Sequence, residues 1–304
     1  MIVVLTGTND YLRTKALADL RSDFVDKYGD FDTEKLESEN ITFDKLLGSV
    51  VSIPFMSERK LVVLRGISSL GLSTEQVDKL IEASGQTTDL IIDEPEFDKR
   101  SSVYKKLKKQ ADFREFTKLE SYALGKWLIA EVAIRGGSID LADAQHLLGM
   151  IGDNQLMLSN EIDKLLSFDT KISRQSIDRL VEPVASSKIF DLLHAMFDGN
   201  KQRALELYND QRRQNVEPHE IIGMIAWQLH VILLVKYSQL NKISNIASFT
   251  KLNPYVVTKT SDLTSNLSEQ KIQYLVSRLL NLDYDMKTRS IDVDDAVQNF
   301  ILAI

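Results

Sequence analysis

Short apolar runs and longer amphipathic stretches alternate through the first third of this chain. IVVL (2–5), KLVVL (60–64), DLII (89–92) and DFREF (112–116) each precede a polar break, and a segment near 35–42 is read as one more strand. Between them lie stretches such as YLRTKALADLRSDFVDKY (11–28), where Leu12, Ala16, Leu20 and Phe24 recur at helical spacing. Such alternation predicts βαβ units and a parallel sheet. After Phe116 the strand signals nearly vanish. Residues 121–137, 140–152, 154–168 and 173–183 read as four helices, with Asp140, Asn154 and Ser173 as N-caps and Gly136, Gly152 and Pro183 as stops. From Ser187 to Ile304 the pattern is helical throughout. The expected layout is α/β followed by all-α: a domain over 1–118, a small helical domain over 119–184 and a larger one over 185–304.

Composition narrows the function classes. The chain has no Cys, which excludes disulfides, thiolate zinc sites and Cys nucleophiles and fits a reducing, cytoplasmic compartment. A net charge of −7 and a pI near 5.3 do not describe a dedicated nucleic-acid binder. No basic segment followed by an apolar one marks a signal peptide at the N-terminus. The run IIGMIAWQLHVILLV (221–235) is broken by Gln228 and His230 and falls short of the ~20 residues of a membrane span, so it is read as a core helix. His146, His194, His219 and His230 are scattered without ligand spacing, which assigns them core or surface roles and no metal.

One loop raises the question of nucleotide binding. GTNDYLRT (7–14) follows a strand and opens a helix, and the pattern G-x-x-x-x-G-K-[ST] laid over it gives Gly7, Leu12, Arg13 and Thr14 at the fixed positions. Gly7 and Thr14 match. Leu12 would fill the space the second glycine leaves for phosphates, Arg13 replaces the compact Lys, and Asp10 brings a negative charge to a nest for anions. The alternative is an ordinary strand–turn–helix capped by Asn9 or Asp10. TDLIIDEPEF (88–97) imitates an Mg²⁺-holding strand end, but by strand count the third strand is KLVVL, which ends in Arg65-Gly66, and a cation holds no Mg²⁺. Asp93 and Glu94 are then expected to be a solvated strand end. Together these departures argue against ATP hydrolysis.

SVVSIPFMSERKLVVL (49–64) sets Ile53, Pro54, Phe55 and Met56 just before a charged break, as a turn or a helix start. Apolar residues at such a corner are tucked inward or displayed, and pattern alone favours the core. The run SIPFMSERKLVVLR resembles a signature of the delta subunit of the bacterial DNA polymerase III clamp loader, in which a PFF-like or LF-like pair precedes a polar turn, basic residues and an apolar strand. LTGTNDYLR, KRSSVYKKLKK, LSNEIDKLLSF, the stretch from IFDLLHAMFDG to HVILLVK and the closing LLNLDYDMKTRSIDVDDAVQNFILAI are similar to other parts of that family, in order, over nearly the whole chain.

The resemblance implies an AAA+-like, RecA-like parallel sheet, a helical lid domain and a helical collar domain, in a protein that neither binds nor hydrolyses ATP and needs no cofactor. It also implies a clamp-binding pair at Phe55 and Met56, flanked by Ile53 and Pro54, that enters a cleft on the sliding clamp; Met56 departs from the family's usual Phe. The implied partners are the sliding clamp, the clamp-loader ATPase subunits, a delta-prime-like subunit and primer-template DNA, with no membrane. Lys99, Arg100, Lys105, Lys106, Lys108 and Lys109 form either a solvated helix face or a contact to DNA or a neighbouring subunit. An ATP-binding AAA+ motor protein and a helical scaffold protein are the alternatives.

Overall fold

The computed structural model describes residues 1–85, 87–252, 254–265 and 267–303. The chain divides into two compact units, Met1–Leu119 and Glu120–Ile304. In the first, Ile2–Thr6 (β1), Thr33–Glu37 (β2), Lys60–Arg65 (β3), Thr88–Glu94 (β4) and Asp112–Glu115 (β5) form one sheet ordered β2-β3-β4-β1-β5, with every neighbouring pair parallel. The central strands are buried along nearly their whole length, as expected of strands covered on both faces.

Helices Asp10–Tyr28 (α1), Phe43–Val51 (α2), Thr74–Ala83 (α3) and Ser102–Gln110 (α4) supply the cover. The period of two along the strands divides the core between the faces. Val3, Leu5, Leu61, Val63 and Ile91 pack with Phe24 of α1. Val4, Val62, Leu64, Leu90 and Ile92 pack with Leu46, Val77, Leu80 and Leu107 of α2, α3 and α4. The second strand departs from expectation: it spans Thr33–Glu37, and Ser38–Asn40 is a 3-10 turn. It is an edge strand with only Leu36 buried, so its sequence carries almost no apolar signal.

The second unit holds Ser121–Ile134 (α5), Leu141–Ile151 (α6), Gln155–Phe168 (α7), Arg174–Leu180 (α8), Ala185–Phe197 (α9), Lys201–Arg213 (α10), Pro218–Leu240 (α11), Ile246–Thr250 (α12), Pro254–Ser265 (α13), Glu269–Thr288 (α14) and Val293–Leu302 (α15). Asp140, Asn154 and Ser173 cap α6, α7 and α8 as their positions in the sequence predict. Ser138–Ile139 (β6) and Lys171–Ile172 (β7) pair in parallel, a contact too short to leave a pattern. By length and composition α11 is apolar enough to cross a membrane. It is instead the central core helix: Ile221, Ile222, Ile225, Leu229 and Ile232 are buried against α9, α10, α14 and α15. His146 is buried on α6 with Nε2 2.6 Å from an Asp178 carboxylate oxygen.

Candidate partner-contact turn and strand-end loop

The first unit's sheet carries a different feature at each end. At the carboxyl ends of the strands, β1 turns into α1 through Gly7–Asn9. Gly7 has φ +112°, and a Cβ there would lie 2.1 Å from the Phe116 carbonyl oxygen, so only glycine fits. Asn9 is the N-cap, and its side chain accepts from the Leu12 N–H at 3.1 Å. The loop's own donors point at protein carbonyls: Gly7 N–H donates to Pro95 and Asn9 N–H to Phe116, both at 3.1 Å. A nest for phosphate needs such N–H groups free and convergent.

Arg13 completes the closure. Its side chain is 5% exposed; Nε donates to Asp93 Oδ1 at 2.7 Å, and Nη1 donates to Asp10 Oδ1 at 2.7 Å and to the Gly7 carbonyl at 3.0 Å. Burial pulls the guanidinium pKa down, but Asp10 and Asp93 outweigh it and hold the group above its ordinary value. The expectation of a solvated strand end at Asp93 and Glu94 is overturned, since they are 7% and 6% exposed. Asp93 is consumed by Arg13, and Glu94 Oε2 accepts from the Ser68 N–H at 2.7 Å. The reason is long-range: β4 lies between β1 and β3, so its carboxyl end is roofed by the loops that follow both.

At the amino ends of the strands, the chain leaves α2 at Ser52 and reaches β3 at Lys60 through a turn with no helix start. Val50 is buried, but Val51, Ile53, Phe55 and Met56 are not, and Phe55 and Ile53 are 88% and 85% exposed. The inward reading that pattern alone favours is therefore incorrect for these side chains, while Pro54 is half-buried. The turn is nevertheless held at both feet. Lys60 Nζ donates to Ser52 Oγ at 2.9 Å and pairs with Glu34 at 2.7 Å. Arg59 pairs with Asp89 at 2.8 Å.

Asp32, the residue before β2, does the rest. Its carboxylate accepts three consecutive backbone N–H groups, from Phe55 to Oδ1 and from Met56 and Ser57 to Oδ2, each at 2.8 Å. The Ser57 hydroxyl lies 2.7 Å from Oδ2 and 2.6 Å from the Arg59 carbonyl, and donates to one at a time. The bonds from Phe55 and Met56, with that from Ser57, hold the Asp32 carboxyl well below the usual carboxylate range. The Asp32 carbonyl accepts from Leu61 N–H at 2.9 Å, fixing its backbone to the start of β3. Sequence reasoning missed Asp32 because its partners lie 23 to 25 positions away and no local motif links them.

Of the basic cluster, four members have partners within the unit: Lys99, Lys106 and Lys108, and Arg100 with Asp98. Lys99 pairs with Glu115 at 2.5 Å, which raises the Lys99 pKa, and Lys106 pairs with Asp78. Lys108 donates to the Tyr104 hydroxyl at 3.2 Å and lies over the Tyr104 ring. Lys105 and Lys109 are exposed, as is Arg100, whose side chain is 97% accessible beside Asp98.

Comparison with known proteins bears on this geometry. The family model for the DNA polymerase III delta subunit matches residues 4–117, and the model for the C-terminal domain of that delta subunit matches 186–304. Together they span well over half of the chain. This chain belongs to the DNA polymerase III delta subunit family. It is 25% identical to DNA polymerase III subunit delta of Bacillus subtilis (strain 168) over 322 residues, covering 100% of this chain and 92% of the relative. In fold it matches the solved Bacillus subtilis DNA clamp loader delta protein with a TM-score of 0.65 and 24% identity, over 99% of this chain and 94% of that one. The chain is thus a DNA polymerase III delta subunit by family, and it shares the fold of that solved protein: an α/β part built on a five-stranded parallel sheet and a mostly helical remainder.

Proposed function

We propose that this chain binds the ring-shaped sliding clamp through Ile53, Pro54, Phe55 and Met56 and opens the ring for loading onto primed DNA, without hydrolysing ATP itself. The observation that carries this reading is Phe55, 88% exposed on a turn whose backbone donors are already engaged by Asp32. A large apolar side chain displayed on an ordered turn gains nothing in the free protein and becomes an anchor once a partner supplies a pocket. Ring opening then asks only that the chain bind the open clamp more tightly than the closed one.

The closed strand-end loop supports the non-ATPase part of the reading. Arg13 spends its charge on Asp93 and Asp10, and the N–H groups of Gly7 and Asn9 are taken. In this reading residues 1–118 carry the clamp contact and 119–184 form a lid. Residues 185–304 form the collar that assembles with clamp-loader ATPase subunits and a delta-prime-like subunit, a span close to the matched 186–304. Lys105 and Lys109 of α4, with the exposed Arg100 just before it, are the cations that would meet DNA or a neighbouring subunit. The complex works in the cytoplasm.

The test is calorimetric titration of the cognate bacterial sliding clamp into the wild type and into Phe55→Ala plus Met56→Ala. Loss of binding with an unchanged melting temperature is the expected result; unchanged affinity sinks the assignment.

A further inference from the structure

Exposed apolar turns ordinarily collapse or sample many conformations, because nothing in the free protein rewards their display. This one is displayed with its backbone donors engaged. Its side chains face solvent while its backbone is held by a single carboxylate from just before β2, two elements earlier in the chain. Three successive N–H groups converging on one anion form a nest, and here the anion is internal. The geometry leaves Ile53 and Pro54 at the apex between two fixed points, the Ser52–Lys60 contact on one side and Asp32 on the other.

We propose that Asp32 is the positioning residue of the clamp contact: it pre-orders Phe55, Met56 and Ser57 so that the two anchors enter the clamp without further ordering of the backbone. This inference rests on the reading that Phe55 and Met56 meet the clamp, and it adds the group that aims them. Asp32 itself acts through the turn and needs no contact with the clamp. Its effect arises because rigidifying a contact segment before association lowers the entropy lost on binding. Fixing one residue's backbone is worth about the free energy of a tenfold change in affinity. The lowered pKa of the carboxyl is consistent with an anion held by donors on several sides.

Asp32→Asn tests this. It keeps the size of the side chain, removes the charge and turns one acceptor into a donor facing an N–H. The expected result is roughly tenfold weaker clamp affinity by calorimetry. Faster amide hydrogen exchange at Phe55, Met56 and Ser57, with the sheet exchanging as slowly as in the wild type, completes the expectation. Ser57→Ala removes one donor only and is expected to weaken binding about two- to threefold, on the order of half a typical hydrogen bond; it carries the test if Asp32→Asn fails to fold. Wild-type affinity in Asp32→Asn with slow exchange retained at residues 55–57 overturns the proposal. So does exchange that rises evenly across the sheet, because that marks a general structural role. If Phe55→Ala plus Met56→Ala leaves affinity unchanged, the clamp-contact reading itself falls. If that variant loses binding while Asp32→Asn does not, only the positioning role of Asp32 falls.

Discussion

The two ends of one sheet use the same chemistry to opposite effect. At the carboxyl ends of β1 and β4, Arg13 pairs with Asp10 and Asp93, and the N–H groups of Gly7 and Asn9 are spent on carbonyls. At the amino ends of β2 and β3, Asp32 absorbs the polar backbone of the 55–57 segment, so that what faces outward is apolar. In both places a carboxylate satisfies donors that would otherwise seek water or a ligand. In the reading proposed above, one end is thereby closed as a nucleotide site, while the other serves as a preformed protein contact. Where the internal charges are directed decides whether a loop receives a ligand or presents itself as one.

That contrast predicts a separation of effects: substitutions at the turn change binding and leave stability alone, and those at the strand-end loop do the reverse. The largest change is expected from Phe55→Ala plus Met56→Ala. Losing the burial of both side chains weakens clamp affinity by roughly 100-fold or more. Urea unfolding of the same variant shifts by under about 0.5 kcal/mol, since both side chains are exposed in the free chain.

Next comes Arg13→Met, which strands Asp93 in a buried position without its cation and destabilises the first unit by about 3–5 kcal/mol in urea melts. Mg-ATP titrated into the wild type gives a flat calorimetric trace, and micromolar binding would restore the ATP-binding motor alternative. Gly7→Ala forces a Cβ against the Phe116 carbonyl at a positive φ and costs about 1–3 kcal/mol, read by the same melts. Retained clamp affinity in either variant that remains folded keeps the two ends independent; loss of affinity breaks the comparison.

The smallest effect is one of pH. A carboxyl whose pKa is lowered on folding contributes its stabilisation fully above its ordinary value of 3.8 and loses it as pH falls through the lower folded value. The Asp32 carboxyl carbon therefore titrates by NMR with a midpoint well below 3.8, and its hold on the turn is constant from neutral pH down to that ordinary value. A midpoint at or above 3.8 contradicts the convergence of Phe55, Met56 and Ser57 donors on this carboxylate.

Much of the fold was legible because its determinants are local. The apolar runs at 2–5, 60–64 and 89–92 are the buried β1, β3 and β4, and α1 begins where Asn9 can cap it. Capping and helical periodicity depend on residues three or four positions apart, which a sequence displays directly. β2 was displaced because an edge strand has one buried residue and no run to mark it. The burial of Asp93 and Glu94 was misread because their surroundings come from residues far away in the chain: Arg13 is 80 positions from Asp93, and Ser68 is 26 from Glu94.

By itself, then, the sequence determined the alternation of strands and helices, the helix ends and the presence of an apolar group at residues 53–56. Those features follow from periodicity and from hydrogen bonds within a single turn. Only the tertiary structure decided that this apolar group faces outward, that Arg13 is answered by Asp93, and that Asp32 holds the turn. Each of these depends on which strands become neighbours in the sheet, and the order β2-β3-β4-β1-β5 brings together residues that no local pattern connects.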